Sequence, residues 1–322
     1  MSLDFTLSAS RLHTLRSGAV LVPDAPAIFR VEGSGALICL QGLLTNDLAA
    51  PGDGSLVYGA ILTPKGMIVF DAWVLREAEG LTIVTGGPAR AAALALFQRA
   101  LPPRLARVTD LTDSHAAAWL LGAGAPERLA RAIDAPIPAP AKVLRAGANP
   151  DVLVAGGTVH APFTALVVGP ADACARLAER FPGGRAVVGD SQDLAAAGIL
   201  AGWPALGREI DEKTLPQEVR FDEIGGVSYT KGCYTGQETV ARIHFRGHVN
   251  RSLRGLVVEG PGALGERTVM LAGKDVGQAR SALSLEGRVL TLGILRREVD
   301  PGSAVTLGQR PATVVPLPFE VG

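Results

Sequence analysis

The residues in this chain that are best suited to chemistry form one octapeptide, Lys231-Gly232-Cys233-Tyr234-Thr235-Gly236-Gln237-Glu238. A thiol acts as a nucleophile or a metal ligand in its thiolate form, which nearby positive charge such as that of Lys231 favours. Gly232 and Gly236 let the backbone approach a bound molecule closely or adopt positive φ, so we expect valine at Gly232 to damage fold and function. The alternative is a buried, inert cysteine in a tight turn. The surrounding charged and amide side chains favour a functional site with Cys233 and Lys231 as its catalytic residues.

A cationic segment follows the octapeptide. Residues 242–254 contain four arginines, of which Arg242 is the first. The alternation of the sequence predicts a strand there. The alternative to a functional role is that these arginines are solvated charges that protect the edge of a strand. His244 and His248 would share one face of a helix and could then bind a metal. Because Gly247 and the alternation favour strand and turn, no metal site is predicted.

Asp71 is the acidic residue that stands out elsewhere in the chain. It follows the apolar run Met67-Ile68-Val69-Phe70 on a predicted strand. A carboxylate in that position is either exposed at a sheet edge or committed to a ligand, and the sequence leaves both possibilities open.

Composition excludes several classes of protein. The 31 basic and 31 acidic residues give a formal net charge of zero, so nothing indicates general attraction to nucleic acid or an anionic membrane. Cys39, Cys174 and Cys233 are widely spaced without a CxxC, which is typical neither of a disulfide framework nor of a zinc or iron–sulfur site. They indicate a reducing compartment. No secretory signal and no long apolar run for a membrane span are visible.

Hydrophobic periodicity predicts an α+β protein. We expect a strand over 27–33, Ser34 as the N-cap of a helix, and leucines 37, 40, 44 and 48 on that helix. Short apolar runs predict a three-stranded meander over 55–85, followed by a helix near 88–100. A similar block follows, with strands near 104–121, a helix near 125–133, strands near 142–169 and a helix near 170–181. Another helix is expected over 190–201.

The pattern changes after residue 250. Short alternating strands separated by glycine turns predict a small β-barrel, with strands near 252–259, 268–271, 276–283, 289–295 and 304–307. We therefore predict two domains. Residues 1–249 would contain two α+β modules with antiparallel sheets, and residues 250–322 would form the barrel.

The octapeptide is similar to the signature of the YgfZ family, the folate-binding iron–sulfur maturation factors. That family is related to the T-protein, the aminomethyltransferase of the glycine cleavage system, and belongs with it to the GcvT superfamily. Supporting similarity lies in residues 41–47 (QGLLTND), in 62–66 (LTPKG) with Asp71, and in 207–218 (GREIDEKTLPQE). The shorter motifs also occur in T-proteins, and the octapeptide separates this branch from the others.

The resemblance implies a tetrahydrofolate-binding protein that assists assembly or repair of iron–sulfur enzymes, with Cys233 as the key thiol. It implies a GcvT-like folate-binding portion, with tetrahydrofolate bound between the α+β modules. The folate contacts are expected at Asp71, Tyr234, Gln237, Glu238 and Arg242. The expected partners are iron–sulfur client enzymes, including those of tRNA modification, or assembly factors. Direct contact with nucleic acid or membrane is not expected. The expected compartment is the cytoplasm, or the mitochondrial matrix in a eukaryote.

Two alternatives remain at this stage. The first is an aminomethyltransferase of the T-protein type that transfers a one-carbon unit to tetrahydrofolate. T-proteins have an acidic pair on the hairpin, whereas this chain has Phe70-Asp71, so one acid is missing. The second alternative is a non-enzymatic scaffold on which the Cys233 loop docks a client protein.

Overall fold

The computed structural model describes residues 3–147, 149–184 and 186–320. Residues 1 and 2 of the first predicted domain, residues 321 and 322 of the predicted barrel, and residue 148 within the strands predicted over 142–169 lie outside the described residues. The strands are β1 Asp4–Thr6, β2 Ala19–Asp24, β3 Ala27–Glu32, β4 Ser55–Leu62, β5 Ile68–Glu77, β6 Gly80–Thr85, β7 Arg107–Asp110, β8 His115–Leu121, β9 Val143–Ala146, β10 Asn149–Gly156, β11 Ala165–Pro170, β12 Ala186–Val188, β13 Arg251–Glu259, β14 Thr268–Leu271, β15 Lys274–Leu285, β16 Arg288–Arg296, β17 Ala304–Leu307 and β18 Arg310–Val315. The helices are α1 Ala9–Ser17, α2 Ala36–Gln41, α3 Arg90–Ala100, α4 Ala125–Ile133, α5 Ala171–Arg180, α6 Ser191–Ala201 and α7 Gln237–Arg246. This mixture confirms the predicted α+β class.

The first sheet has the order β4-β5-β6-β3-β7, and all its neighbouring strands are antiparallel. The meander predicted over 55–85 is confirmed as β4, β5 and β6. One face of the sheet packs against α2 and α3. In that core, Phe97 of α3 makes edge-to-face contacts with Phe29 and Phe70, with ring centroids 5.5 Å and 5.9 Å apart. The sheet is thus buried on this face, as alternation along its strands requires.

Helix α2 is shorter than predicted. It ends at Gln41, and its N-cap is a glycine without a side-chain hydrogen bond, so the prediction of Ser34 as N-cap was wrong. The chain leaves the helix because the Thr45 amide donates to a carbonyl of β4 at 2.9 Å. Leu44 and Leu48 are nevertheless buried in the same core, which explains why their spacing indicated a longer helix.

The second sheet has the order β12-β2-β8-β11-β10-β9 and is antiparallel except for the pairing of β12 with β2. Helices α4 and α5 cover one of its faces. The strands and helices predicted between residues 104 and 181 are present. However, β2 precedes the first sheet in the chain, so the two modules are interleaved in sequence, which was not predicted.

Strands β13–β18 close a six-stranded barrel in the order β15-β14-β17-β18-β13-β16, with β16 pairing back to β15. This closure confirms the predicted C-terminal barrel, although β18 was not predicted. The N-terminal strand β1 adds to β15 in parallel, with Asp4 beside Ala282. It therefore packs across the predicted division at residues 249 and 250, and that division stays a prediction.

The strand predicted at Arg242 was wrong, because residues 237–246 form helix α7. Gly236 occupies the N-cap with a left-handed φ of 83° and turns the chain into the helix. Val240 is buried and Ile243 is half-buried three residues later, which gives the helix an inward apolar edge. Among the described residues, none of the helices combines the length and the apolar content that crossing a membrane requires.

A shared core joins the two sheets and the barrel. It contains Tyr58 and Trp73 from the first sheet, Trp119 from the second, and Leu292 from the barrel. Helix α6 lies at this junction and contacts β2, β8, β1, β15 and β16. Its N-terminus is fixed by a capping box in which Asp190 accepts hydrogen bonds from the first turn. The capped helix α6 therefore lies where the two sheets and the barrel meet.

Candidate functional site

A cavity of about 550 Å³ opens at the junction. Its wall includes Asp71 and Trp73 of β5, Trp119 of β8, and the segment after α6 that begins at Trp203. Phe5 of β1 also lines it, so both sheets and the strand added to the barrel contribute to the wall. This volume lies in the usual range of small-molecule and cofactor pockets.

Aromatic side chains form much of the wall. Trp73, Trp119 and Trp203 are all the tryptophans of the chain, and all three line the cavity. The rings of Trp73 and Trp203 are stacked, with centroids 5.5 Å apart and an interplanar angle of 15°. Tyr58 packs against both, at centroid distances of 4.7 Å and 4.6 Å. Such surfaces are well suited to a planar heteroaromatic ligand.

Asp71 provides a carboxyl group on this wall. Its strand β5 lies between β4 and β6, so Asp71 is not on an edge strand, although the pairing with β6 begins only at Trp73. The hydroxyl of buried Tyr58 donates to Asp71 Oδ2 at 2.9 Å. Burial raises the pKa of the Asp71 carboxyl, while the bond from Tyr58 opposes that change. The side chain keeps partial accessibility, so Asp71 is desolvated by the protein and still reachable by a ligand.

A second carboxyl group, Asp24, also lines the cavity and was not predicted. Its Oδ2 accepts a hydrogen bond from Trp119 Nε1 at 2.9 Å, and its Oδ1 accepts one from the Ala25 amide at 2.9 Å. Because both oxygens already hold protein donors, Asp24 positions the Trp119 indole. The available signal was an acid one residue beyond the buried apolar run Ala19–Val22, after Pro23.

Cys233 lies on an exposed loop and has the most accessible of the three thiols. Cys39 is half-buried, whereas Cys174 is buried and burial raises the pKa of its thiol to about 11. Cys233 does not line the cavity that contains Asp71. The two predicted centres of chemistry, thiol and carboxylate, therefore occupy different surfaces of the protein.

Lys231 points away from solvent, into the body of the protein. Its Nζ donates to the carbonyl oxygens of Gln41, Leu44 and Asn46 at 2.7, 2.7 and 2.9 Å. The ammonium group also lies 5.1 Å from the Tyr234 ring centroid. Burial lowers the pKa of Lys231 to about 8, so the group is still mainly protonated at neutral pH. The lysine thus anchors the 41–46 loop beneath the Cys233 loop.

Replacing Lys231 with methionine is expected to lower the free energy of unfolding by about 1–2 kcal/mol. The three carbonyls lose their charged donor, but water can reach those of the half-buried Gln41 and Asn46, so only the Leu44 carbonyl stays buried and unpaired. Chemical denaturation measures the change, with Lys213→Met on an exposed loop as the control. Equal stability of the Lys231 variant and wild type would contradict an anchoring role.

Three sequence motifs meet at one place: the octapeptide, residues 41–47 and residues 62–66. A Cβ on Gly236 would lie 2.6 Å from the Thr63 carbonyl oxygen and 3.1 Å from Gly66 Cα, so the octapeptide packs directly on the β4–β5 hairpin. The Thr235 amide donates to the Gly42 carbonyl at 3.0 Å. By contrast, a Cβ on Gly232 would meet nothing within 4 Å. The expectation that valine at Gly232 strains the fold was therefore wrong, and Gly236 is the constrained position.

The remaining predicted folate contacts lie around the octapeptide and not on the cavity wall. Tyr234 is buried, Gln237 begins α7 half-buried, and Glu238 and Arg242 are exposed on that helix. The structure thus brings four of the five together near Cys233 and places Asp71 apart from them. These assignments remain predictions.

One aromatic cluster beside α7 was not predicted. The rings of Tyr229 and His244 stack with centroids 3.6 Å apart, and the Tyr229 hydroxyl donates to Asp222. Phe245 packs edge-on against both rings and leaves 67% of its surface exposed. In the part of the chain that the structure describes, no three acidic, histidine or cysteine side chains are grouped as metal ligands.

Comparison with known proteins agrees with this architecture. The model of the GCVT N-terminal domain family matches residues 16–146. A tRNA-modifying protein YgfZ of Escherichia coli O157:H7 is 27% identical over 310 residues, which cover 92% of each chain. Its namesake from an Enterobacter strain is 28% identical over 309 residues, again covering 92% of each. The chain is a YgfZ-type member of the GcvT superfamily.

The fold of this YgfZ-type chain is also that of a solved aminomethyltransferase. The glycine cleavage system aminomethyltransferase T of Bartonella henselae matches 96% of this chain and 88% of its own, with a TM-score of 0.78 and 20% identity. This likeness confirms the GcvT-like fold expected from the sequence. The superfamily fold is generally folate-binding.

Proposed function

We propose that this protein binds tetrahydrofolate in the cavity beside Asp71 and uses Cys233 to assist assembly or repair of iron–sulfur enzymes. The observation that carries the proposal is the cavity itself, which combines tryptophan rings with one reachable carboxyl group. A reduced pterin has a planar ring and an amidine-like donor edge. The ring would pack on the indoles, and Asp71 would accept two parallel hydrogen bonds from the edge.

A chain of hydrogen bonds supports communication between this cavity and the thiol loop. Asp71 accepts from the Tyr58 hydroxyl, and the Tyr58 carbonyl accepts from Asn46 Nδ2 at 2.8 Å. The Asn46 carbonyl in turn accepts from Lys231 Nζ, two residues before Cys233. Occupancy of the cavity would thereby fix the base of the Cys233 loop. Folate then acts as a ligand that prepares the loop for its client, or as an acceptor of a reactive one-carbon species.

The clients follow from the family. YgfZ relatives are named as tRNA-modifying proteins. Because this chain carries no excess of positive charge, we propose that it acts on iron–sulfur enzymes that modify tRNA, and not on tRNA directly. The cytoplasm, with its reduced thiols, is the compartment we propose for this activity.

Substituting Asp71 with asparagine is expected to weaken tetrahydrofolate binding by about 10- to 100-fold, since the amide accepts fewer bonds and carries no charge. Wild-type affinity should also fall as the pH decreases through the raised pKa of Asp71, because the protonated carboxyl no longer accepts both donors. Quenching of the three cavity tryptophans measures both effects.

The control for this experiment is Asp53→Asn, which removes an exposed acid of the same module outside the cavity wall. It should bind tetrahydrofolate like the wild type. Unchanged affinity of the Asp71 variant would place the ligand elsewhere. Absence of any wild-type signal at about 1 mM ligand would remove folate from the proposed function.

One observation favours the aminomethyltransferase as a second candidate. The raised pKa of Asp71 suits a residue that exchanges protons with a bound substrate. Asp24, the other acid on the cavity wall, is engaged by Trp119 and does not replace the missing member of the acidic pair. Formation of methylenetetrahydrofolate from aminomethyl-lipoate by the purified protein would decide for this candidate. Tight binding without turnover would decide for the maturation role.

A further inference from the structure

Arg208 is a cavity residue that the proposed function has not used. It lies in the Gly207-Arg208-Glu209 stretch after α6 and lines the 550 Å³ cavity together with Asp71. Its Nε is buried without a hydrogen-bond partner, and within the described residues its guanidinium makes no ion pair. Its Cζ lies 5.4 Å from the centroid of the Phe5 ring, and the charge of Glu209 acts on it without forming an ion pair. An arginine remains charged in proteins, so this is a half-buried cation without a matched anion.

A second unpaired donor lies close to Arg208. A smaller cavity of about 130 Å³ shares Trp73, Trp203 and Arg208 with the main one and is also lined by Ser281. The Ser281 hydroxyl is buried and has no hydrogen-bond partner. Arg208 and Ser281 therefore both line the smaller cavity, and each has a buried donor atom without an acceptor. Leaving such groups unsatisfied costs free energy, which a ligand with acceptor oxygens would offset.

Glu209 is the acid whose charge acts on Arg208, but backbone amides occupy its carboxylate oxygens. Glu209 lines the smaller cavity, but its Oε2 accepts from the Ala205 amide at 3.0 Å and its Oε1 from the Ser281 amide at 3.1 Å. Glu209 does not line the main cavity. An anion that approaches Arg208 from the main cavity therefore does not meet the Glu209 carboxylate. The main cavity is thus lined by two carboxyl groups, Asp24 and Asp71, and by one guanidinium group, Arg208.

We infer that Arg208 binds the carboxylate end of the cavity's ligand and thereby selects a folate over a pterin without a carboxylate tail. This inference rests on the proposed function, because it assigns the pterin end to Asp71. The planar guanidinium would hold a carboxylate through two parallel charged hydrogen bonds. The ligand class is then defined by both ends, a donor-rich heterocycle joined to a carboxylate.

The experiment compares three probes by tryptophan quenching: tetrahydrofolate, tetrahydrobiopterin, which lacks a carboxylate, and p-aminobenzoyl-glutamate, which lacks the pterin. Arg208→Gln should weaken binding of tetrahydrofolate by about 10- to 100-fold and leave that of tetrahydrobiopterin unchanged. The variant should fold normally, since within the described residues the guanidinium makes no ion pair and its Nε makes no hydrogen bond. The control is Arg254→Gln, which removes another arginine with an unpaired buried Nε that lies outside both cavities.

The outcomes separate the two proposals. If Arg208→Gln binds tetrahydrofolate like the wild type, or loses both pterins equally, the assignment of Arg208 is overturned. If the wild type binds neither pterin, the proposed function fails. Binding of p-aminobenzoyl-glutamate then tests the role of Arg208 on its own. Saturable binding of p-aminobenzoyl-glutamate by the wild type but not by the variant would support a carboxylate site at Arg208. If the wild type does not bind this probe, the carboxylate site is overturned.

Discussion

Replacement of Cys233 by serine is expected to abolish the support of iron–sulfur enzymes and to leave the fold intact. The thiol is exposed on its loop, and serine has nearly the same volume, so little packing is lost. However, the serine hydroxyl stays protonated at neutral pH and cannot act as a thiolate. Affinity for tetrahydrofolate should not change, because Cys233 does not line the cavity.

Complementation of a strain that lacks its own family member measures this effect, with radical tRNA thiolation as a cluster-dependent activity. The variant should give the activity of the empty vector. Cys39→Ser is the control, since it changes a half-buried thiol in the core of the first sheet. Full complementation by the Cys233 variant at normal expression would show that the octapeptide is a structural turn.

Alanine at Gly236 is expected to destabilise the protein by about 2–3 kcal/mol. The residue has a φ of 83°, which an L side chain adopts at a cost, and its Cβ would lie 2.6 Å from the Thr63 carbonyl oxygen. Relief of that overlap would separate the octapeptide from the β4–β5 hairpin. We therefore expect Gly236→Ala to lower both the unfolding free energy and the complementation activity.

The matched control is Gly232→Ala, four residues earlier in the same loop. Its Cβ would occupy open space, and its φ is not in the left-handed region, so its stability should stay within about 0.5 kcal/mol of the wild type. Thermal and urea unfolding of the two variants give the comparison. Equal effects of the two substitutions would show that contact with the hairpin does not constrain the loop.

Local sequence patterns determined most of the secondary structure. The meander over 55–85 follows from apolar runs separated by turn residues, because such runs specify strands within a short window. The helix around Arg242 was missed because a ten-residue segment contains only one buried side chain, Val240, and its periodicity is correspondingly weak. Helix α2 was overestimated because Leu44 and Leu48 are buried by tertiary contacts outside the helix.

Some properties of the site were also determined by sequence alone. The octapeptide identified the family and singled out Cys233, which the structure finds exposed. The position of Asp71 after an apolar run singled out its carboxyl group, but left open whether it lies at a sheet edge or binds a ligand. In both cases the residue type and its immediate neighbours carry the information.

Only the tertiary structure decided which residues share a cavity. Trp73, Trp119, Trp203 and Arg208 come from distant segments, and the packing of two interleaved sheets against α6 brings them together. It also decided the role of Lys231, whose charge lies next to a thiol in sequence but is directed to three carbonyls in space. Neighbouring residues in a loop do not have to face the same way, and a buried ammonium group must find acceptors wherever the fold provides them.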